Sequence, residues 1–363
     1  MLKRRYIALL PLCVLLAACS SKPKTAAAPA TAGTPSGGFL LEPQHNALIP
    51  TGDFANNPAA EQFIDKMVSK HGFDRQQLHE ILSQAKRLDY VLRLMDRQAP
   101  TGLPPSGPNG AWLRYRKQFI TPDNVQNGVA FWNQHEAALK RAWQVYGVPP
   151  EIIVGIIGVE TRWGRVMGKT RILDALATLS FNYPRRAEYF SGELETFLLM
   201  ARDESDDPLD LKGSFAGAMG YGQFMPSSYK QYAVDFNGDG HINLWDPEDA
   251  IGSVANYFKQ HGWVKGDQVA VQAMGQAMGQ APGLENGFKT KYSVSQLAAA
   301  GLTPMDSLGN HQQASLLRLD VGTGYQYWYG LPNFYTITRY NHSTHYAMAV
   351  WQLGQAVALA RVQ

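Results

Sequence analysis

The stretch GIIGVETRWGR, residues 155–165, runs from apolar residues straight into a glutamate and then into a turn. Pro150 suits the first turn of a helix, so the pattern predicts a helix that begins there and carries Glu160 near its end. On such a helix Glu160 lies one turn from Ile156 and Ile157, so its carboxyl group continues the apolar face. Partial removal from water raises the pKa of a carboxyl group, and a general acid needs such a pKa near neutral pH.

The same glutamate has a second interpretation. A glutamate at the end of a helix often pairs with a cation at the surface, and Arg162 and Arg165 follow closely. Periodicity alone favours this ion pair, although a carboxylate is slightly disfavoured by the dipole at the carboxyl end of a helix. Both interpretations stay open until the rest of the chain is considered.

A glycine-dense turn follows at SFAGAMGYGQFMPSSYKQYA, residues 214–233. Gly217, Gly220 and Gly222 allow another chain to approach closely, and the amide of Gln223 offers both a donor and an acceptor. Its proline is placed to open a further helix. Taken alone, this pattern is that of an ordinary glycine-rich loop.

The first residues have the layout of a bacterial secretory signal. Lys3, Arg4 and Arg5 precede an apolar run that is too short for a comfortable membrane span, and Leu-Ala-Ala-Cys ends at Cys19. This ending resembles the lipobox of bacterial lipoproteins, which implies cleavage after residue 18 and lipidation of Cys19. The alternative is an ordinary signal with an incidental cysteine.

Loss of residues 1–18 would change the charge balance. The chain has 33 basic and 30 acidic residues, and the three basic residues of the signal account for the whole excess. A basic pI is therefore no argument for a nucleic-acid partner. The two cysteines are Cys13 and Cys19, so no disulfide is expected. Several acyl chains on Cys19 would anchor the protein stably, and Ser20 after it resembles sorting to the periplasmic face of the outer membrane.

The rest of the chain divides into regions of different composition. Residues 19–38 are a Pro/Ala/Thr/Gly tether, and helical spacing of apolar residues dominates up to residue 261 and again from 345 to 361. The intervening region is rich in β-branched and aromatic residues, and four segments are predicted as strands: QVAVQ (268–272), SLLRLDV (315–321), YQYWYG (325–330) and FYTITRY (334–340). The repeat QAMGQAMGQAPG, residues 272–283, is interpreted as a tolerated duplication in a surface loop.

A candidate calcium loop lies at DFNGDGHINLWDPED, residues 235–249. Asp235, Asn237 and Asp239 occupy positions 1, 3 and 5 of an EF-hand-like loop, with a glycine at position 6 for the sharp turn. His241 would contribute its backbone carbonyl. The usual glutamate at position 12 is replaced by Asp246. The alternative is a turn rich in Asp and Asn that binds nothing.

Three motifs together carry a resemblance to a known family. VETRWG (159–164), GAMGYGQFMPSS (217–228) and RYNHSTHYAMAV (339–350) resemble the lytic murein transglycosylases, and the likeness extends from about Phe39 onward. The resemblance implies a mainly α (α+β) fold with a lysozyme-like helical core. The implied core comprises residues 148–261 and 334–363 and includes the calcium loop. An α-domain (39–147) and a small β-rich domain (262–333) would flank it.

The resemblance also assigns roles to individual positions. Glu160 corresponds to the family's single catalytic glutamate, and Arg185 and Arg186 resemble a pair that meets the carboxylates of peptide stems. Positions that line the glycan cleft in the family match Ser214, Gln223, Tyr257, Tyr340 and Asn341. In the family's longer calcium loop Asp249 would be the bidentate ligand, with Asp246 and Glu248 as alternatives, and the ion would be structural.

The implied activity is cleavage of the bond between N-acetylmuramic acid and N-acetylglucosamine in peptidoglycan, with formation of a 1,6-anhydro sugar. Glu160 would act first as acid and then as base, without a catalytic cofactor. Aromatic side chains would cover sugar faces or simply pack in the core: Trp163, Tyr221, Phe224, Tyr257, Tyr335 and Tyr340. The expected partners are glycan strands, with a monomeric chain that joins cell-wall synthesis or division complexes.

Two other functions remain compatible with the sequence. A hydrolytic muramidase would cleave the same bond with water and a second carboxylate, such as Asp174 or Glu188. A calcium-dependent glycan-binding lipoprotein would have no activity.

Overall fold

The computed structural model describes residues 51–97, 107–275 and 283–363. The predicted signal and tether, with Cys19, lie outside these ranges, as does most of the QAMG repeat. Within them the fold is mainly helical with a smaller sheet, which confirms the expected fold class. No single described helix is long and apolar enough to cross a membrane, and the helices Glu136–Tyr146 and Pro150–Thr161 pass that test only as a pair bent by 117°.

The amino-terminal half consists of short helices with clear ends. Asn57 caps the first of them, since its Oδ1 accepts a hydrogen bond from the Ala59 amide at 2.9 Å, and Gly72 ends it in the left-handed conformation with φ 66°. The helices are α1 (Pro58–His71), α2 (Arg75–Ser83), α3 (Asp89–Arg97), α4 (Ala111–Arg116), α5 (Pro122–Gln134) and α6 (Glu136–Tyr146). The sequence predicts helical spacing of apolar residues as far as Arg97 and, after a break, as far as Gly147. The helices observed here confirm this prediction.

The core of the fold is built around one helix that is buried on nearly all sides. The remaining helices are α7 (Pro150–Thr161), α8 (Ile172–Asn182), α9 (Ala187–Glu204), α10 (Pro226–Tyr232), α11 (Pro247–Gln260), α12 (Val294–Ala299), α13 (Pro332–Tyr340) and α14 (Thr344–Val362). α7 begins with Pro150, as predicted, and every residue from Ile152 to Val159 is buried. Its main partner is α14, the last helix of the chain. The two helices touch through glycines, which brings their backbones together.

A five-stranded antiparallel sheet follows α11 in the chain. Its strands are β3 (Ala270–Gly275), β4 (Tyr292–Ser293), β5 (Leu302–Pro304), β6 (Gln313–Asp320) and β7 (Tyr325–Gly330), arranged in the order β4-β6-β7-β3-β5. A two-stranded sheet pairs β1 (Thr170–Arg171) with β2 (Lys212–Gly213). The strands predicted near residues 268–272, 315–321 and 325–330 are confirmed with small shifts in their bounds.

The fourth predicted strand, FYTITRY at 334–340, is wrong: these residues form most of α13. Pro332 provides the first turn of the helix, and Phe334, Ile337 and Thr338 are fully buried at helical spacing. The β-branched and aromatic composition suggested a strand, but packing of this helical face into the core outweighs that propensity.

One carboxylate links the sheet to the start of α4. Asp320, at the end of β6, accepts hydrogen bonds from the amides of Asn109 and Gly110 at 2.8 Å each, at the start of α4. Although burial acts to raise it, these backbone donors lower the pKa of Asp320 to about 2. The contact orders the segment that leads into α4.

Candidate active site

The helix α7 ends abruptly one residue after Glu160. Arg162, Trp163 and Gly164 are consecutive left-handed residues, with φ of 51°, 56° and 83°. The indole of Trp163 turns back into the core and donates to the carbonyl of Val154 at 3.1 Å. Because the chain leaves the helix here, the carboxyl group of Glu160 lies at the end of the buried helix and not along its middle.

The glycine-dense turn packs directly against this helix end. The hydroxyl of Thr161 donates to the carbonyl of Tyr221 at 3.0 Å and accepts from the amide of Gly164 at 3.1 Å. A Cβ atom on Gly164 would lie 2.4 Å from the ring of Tyr221, so the close approach requires a glycine there. Two motifs that are sixty residues apart in the chain thus form one surface around Glu160.

Glu160 is partly buried, and one hydrogen bond holds it. Its Oε1 accepts from the hydroxyl of Tyr346 at the start of α14. Burial raises the pKa of Glu160 to about 7, while the hydrogen bond from Tyr346 acts in the opposite direction. Among the described residues Glu160 forms no ion pair, so the surface pair with Arg162 or Arg165 is not present. The carboxyl group therefore keeps a proton close to neutral pH, as its place on the apolar face predicted.

Two tyrosines form the wall beside the glycine turn. The hydroxyl of Tyr340 donates to the carbonyl of Gly222 at 2.6 Å, and that of Tyr257 donates to the carbonyl of Arg339 at 2.7 Å. Their ring centroids lie 4.8 Å apart in an edge-to-face arrangement. Burial, and after it the charge of Glu160, raises the pKa of Tyr340 well above its ordinary value. Tyr340 and Glu160 are thus electrostatic neighbours.

Ser214 and Gln223 shape the glycine turn. The hydroxyl oxygen of Ser214 accepts from the amides of Ala216 and Ala218, at 3.2 and 3.0 Å. The side-chain amide of Gln223 donates to the carbonyls of Met167 and Gly220, at 3.2 and 2.9 Å. Gln223 is itself left-handed, with φ 52°. Both residues therefore hold the turn, and the amide oxygen of Gln223 has no partner among the described residues.

The remaining expected site residues lie on neighbouring elements. Arg185 and Arg186 form a short 3-10 turn between α8 and α9, and the guanidinium of Arg186 lies 4.4 Å from the ring centroid of Tyr189. Neither arginine pairs with an acid within the described ranges. Asn341 follows Tyr340 directly, at the end of α13, and is partly buried.

The six aromatic residues considered for sugar contacts fall into two groups. Trp163, Phe224 and Tyr257 are buried, with exposed fractions of 8%, 3% and 8%, and pack in the core. Tyr221, Tyr335 and Tyr340 retain exposed surface, and Tyr335 is the most exposed of the three at 44%. Exposure therefore favours the second group for contact with a ligand.

The two candidates for a second carboxylate, Asp174 and Glu188, have different surroundings. Asp174 is buried, and its Oδ1 accepts from the amide of Lys86 and from the guanidinium of Arg171, both at 2.8 Å. Glu188 is exposed at the start of α9, where it lines a separate cavity of about 260 Å³ between α1, α8 and α9. The first is committed to hydrogen bonds within the fold, and the second lines a cavity that Glu160 and the glycine turn do not line.

Sequence reasoning missed Tyr346, whose hydroxyl donates to the carboxyl group of Glu160. It is 3% exposed, and its neighbour His345 packs 5.6 Å from the ring centroids of both Trp112 and Tyr115. The available signal was its place in the first turn of α14, within the motif RYNHSTHYAMAV. The apolar pattern of that helix made it resemble a core residue.

The candidate calcium loop has oxygen donors at alternating positions. Gly238 and Gly240 are left-handed, with φ of 82° and 93°, and they curl the loop around Asp235. The carboxylate of Asp235 accepts from the amides of both glycines, at 2.7 and 2.9 Å. Oxygen donors of this kind suit Ca²⁺, and Asn237 and Asp239 supply two more. Within the described ranges no three His, Cys, Asp or Glu side chains converge as ligands, so an ion here would also need amide, carbonyl or water oxygens.

Asp249 holds this loop in place by hydrogen bonds to its backbone. It is fully buried at the start of α11, and its two oxygens accept from the amides of Phe236, Asn237 and Asn243 at 2.8 to 3.0 Å. Burial, the first cause, raises the pKa of Asp249, and these backbone donors act against it. Asp246 caps α11 by accepting from the amide of Glu248 at 2.8 Å.

The comparison with known families defines the class of protein. The model of the transglycosylase SLT domain family matches residues 55–355, which include Glu160, the glycine turn and α13. The chain therefore belongs to this family, and it is a lytic transglycosylase that acts on peptidoglycan.

Individual relatives are very similar. Membrane-bound lytic murein transglycosylase B of Escherichia coli (strain K12) is 87% identical over 365 residues, which cover 100% of both chains. The solved structures of E. coli lytic transglycosylase Slt35 in complex with bulgecin A and with calcium are 88% and 87% identical, each with a TM-score of 0.83, and cover 89% of this chain and 100% of theirs. SltB3 from Pseudomonas aeruginosa in complex with NAG-anhNAM-pentapeptide is 29% identical, with a TM-score of 0.71, and covers 82% of this chain and 79% of its own.

Proposed function

We propose that Glu160 alone carries out both proton transfers of the reaction. With a pKa of about 7 it holds a proton at neutral pH and donates it to the oxygen that bridges N-acetylmuramic acid and N-acetylglucosamine. As the bond breaks, the muramic ring develops positive charge at C1. The carboxylate that results faces this centre from a fixed position, because Tyr346 orients it.

The second step closes a ring. Ionised Glu160 removes the proton of the C6 hydroxyl of the same muramic residue, and the C6 oxygen attacks C1. The C1–O bond to the leaving sugar is replaced by a C1–O6 bond, and the proton returns to Glu160, so no water is consumed. The product is a 1,6-anhydromuramic end. The neighbouring N-acetyl group of the substrate assists at C1, in place of a second carboxylate.

The observation that carries this proposal is the environment of Glu160. Its carboxyl group is partly desolvated, is held by a neutral tyrosine and has no cation beside it among the described residues. An ordinary retaining or inverting glycosidase places a second carboxylate within about 10 Å, across the bond. Asp174, the buried candidate, is already bound to Lys86 and Arg171. The anhydromuramic ligand of SltB3, a family member, supports the same product.

Digestion of purified sacculi tests the mechanism. Wild-type protein should release anhydromuropeptides, identified by mass, and Glu160→Gln should lower this release by about 10³-fold or more. Glu151→Gln, in the first turn of the same helix, is the matched control and should digest normally. Reducing ends in the wild-type digest would instead show a hydrolytic muramidase, and no solubilisation would show a glycan-binding protein.

We also propose that the cleft binds the glycan through the residues that surround Glu160. Ser214 and Gln223 hold the glycine turn, Tyr340 and Asn341 form a wall beside it with the buried Tyr257 packed against Tyr340, and Arg185 and Arg186 present charge toward the carboxylates of peptide stems. The wall hydrogen bonds of Tyr257 and Tyr340 support this arrangement. Bulgecin A bound to Slt35 supports a cleft that accepts sugar-like ligands.

The loop 235–249 is proposed to bind a structural Ca²⁺. Asp235, Asn237 and Asp239 would supply side-chain oxygens, His241 its carbonyl oxygen and Asp249 its carboxylate. The calcium complex of Slt35 supports the assignment. Each oxygen of Asp249 accepts one or two backbone donors but keeps capacity for a cation, because a carboxylate has about four acceptor positions.

A lipid anchor on Cys19 is proposed to hold the protein at the outer membrane, on its periplasmic face. The motif Leu-Ala-Ala-Cys and the membrane-bound E. coli relative support this location. Labelling with a palmitate analogue tests it, since Cys19→Ser should abolish both the label and recovery in the membrane fraction. A labelled Cys19→Ser protein would contradict the anchor.

A further inference from the structure

A cluster of rings and cations lies beside the proposed glycan cleft, at the end of α13. Arg339 immediately precedes Tyr340, and its carbonyl accepts the hydrogen bond from Tyr257. The guanidinium carbon of Arg339 lies 4.0 Å from the ring centroid of Tyr335 and 5.6 Å from that of Phe288. The side chain is therefore held by the aromatic surface next to the wall of the cleft.

The other side of this cluster comes from a distant part of the chain. Phe288 precedes β4, and its ring lies 6.5 Å from that of His342 with an angle of 17° between their planes. The ammonium of Lys289 lies 5.9 Å from the same ring. Two cations from different segments thus meet at one aromatic residue, where the region of the sheet faces the α13–α14 connection.

The two cations of this cluster, Arg339 and Lys289, have no acidic partner in the part of the chain that the structure describes. Nε and Nη2 of Arg339 donate to the Tyr335 carbonyl and the Thr338 hydroxyl, at 3.4 and 2.9 Å. Neither Arg339 nor Lys289 lies within 4.0 Å of a described carboxylate, whereas Arg171 and Arg361, also partly buried, each form an ion pair. A partly buried guanidinium gains most from a carboxylate, which it binds by charge-assisted hydrogen bonds.

We propose that Arg339 and Lys289 form a binding subsite for a carboxylate of the peptide stem, or of a muramyl residue that carries no stem, with Phe288 and Tyr335 as its apolar frame. This inference rests on the proposed function, because it assumes that the glycan occupies the adjoining cleft. It is separate from the expected role of Arg185 and Arg186, which lie between α8 and α9. The subsite binds substrate and takes no part in proton transfer.

Kinetics on chemically altered sacculi test this subsite. Arg339→Gln should raise KM on native sacculi roughly three- to fivefold and leave kcat nearly unchanged, and Lys289→Gln should raise KM about twofold. Arg339→Lys should restore most of the loss, since it keeps the charge. On sacculi whose carboxyl groups have been converted to neutral amides, the KM ratio of variant to wild type should fall to about one.

Two further measurements separate the possible results. In native strands the lactyl carboxyl group is bound in the amide to the stem, and an amidase frees it as it removes the stem. An effect that disappears on these strands therefore assigns the stem carboxylates, whereas one that persists shows that the freed lactyl carboxylate also binds. Lys140→Gln removes one exposed positive charge from α6 and controls for net charge. Equal losses on native and amidated sacculi, or no effect of Lys289→Gln together with no rescue by Arg339→Lys, would overturn the proposal. Inactive wild-type protein would instead overturn the proposed function.

Discussion

At the scale of single residues, the protonation of Glu160 depends on two opposing contributions. Burial disfavours the charged form, whereas the hydroxyl of Tyr346 donates to the carboxylate and favours it. The balance places the pKa at about 7. The general acid is the protonated form, so kcat/KM should fall as pH rises through this value.

The variant Tyr346→Phe removes only the favourable donor. The pKa of Glu160 should then rise further, by about half a unit to one unit, and the alkaline limb of the kcat/KM profile should move to higher pH by the same amount. The maximal rate should fall by about two- to tenfold, because the carboxyl group loses the contact that orients it. Rates of sacculus clearance across pH 5 to 9, on the order of one measurement per half unit, give both quantities.

The matched control is Tyr329→Phe, which also removes a buried hydroxyl donor, here to the carbonyl of Leu302 at 2.7 Å. It should lower stability without moving the pH midpoint. An unmoved midpoint in Tyr346→Phe would show that the hydrogen bond does not set the pKa of Glu160.

The sequence predicted Glu160 but not its partner, for a physical reason. The periodicity of α7 is local, so it places the carboxyl group on the apolar face directly. Tyr346 lies 186 residues further along, and its contact exists only because α14 crosses α7. The expected roles of Ser214 and Gln223 remain predictions, and the structure adds that both already hold the glycine turn.

At the scale of helices, the crossing of α7 and α14 depends on glycines. A Cβ atom on Gly155 would lie 2.3 Å from the carbonyl oxygen of Val350, and one on Gly354 would lie 2.0 Å from that of Glu151. The atoms in the way belong to the backbone, so they cannot rotate away as a side chain could. The same helix crossing places Tyr346 next to Glu160. A change in how α7 and α14 pack would therefore also change the geometry of the site.

Gly155→Ala and Gly354→Ala should therefore each lower the free energy of unfolding, by about 1–3 kcal/mol or more. The helices must separate, which should also reduce the rate of sacculus clearance. Gly192→Ala in α9 is the control: nothing lies within 4 Å of its added Cβ, so it should raise the stability by about 0.5–1 kcal/mol. Urea unfolding followed by circular dichroism measures all three. Equal effects at the three positions would contradict the close crossing.

Features of helices and strands that depend on nearby residues were predicted well, whereas those that depend on distant contacts were not. Pro150 and Pro226 marked the starts of α7 and α10 in the sequence, because a proline acts within the first turn of a helix. The strand prediction for FYTITRY was wrong because the conformation of this segment depends on the core that receives Phe334 and Ile337. Periods of two and of 3.6 residues are hard to distinguish in a stretch of seven residues.

At the scale of the whole molecule, the site is assembled from segments that are far apart in the chain. α7, the glycine turn and the α13–α14 connection meet at Glu160, while the five-stranded sheet lies between the second and the third of these in sequence. The family motifs indicated this assembly, whereas composition alone did not. The division into domains at 39–147, 148–261 with 334–363, and 262–333 stays a prediction, although all five strands of the sheet lie between Ala270 and Gly330.

The loop 235–249 joins α10 to α11, so an ion bound there should stabilise the whole fold rather than the reaction. If Ca²⁺ binds the folded chain alone, saturation at about 100 times the dissociation constant adds about 2.7 kcal/mol. The thermal midpoint should then rise by several degrees in calcium relative to EGTA, and less in magnesium, which demands smaller octahedral sites. Sacculus clearance well below the midpoint should not change.

Two variants and a control separate the roles of the loop carboxylates. Asp235→Asn should abolish the calcium response, and the exposed Asp123→Asn in α5 should retain it. Asp249→Asn should lower the midpoint even in EGTA, because its buried carboxylate holds three backbone amides in the absence of any ion. A calcium response that survives Asp235→Asn would show that the ion binds at another site. Identical midpoints in calcium and EGTA would contradict the proposed calcium site.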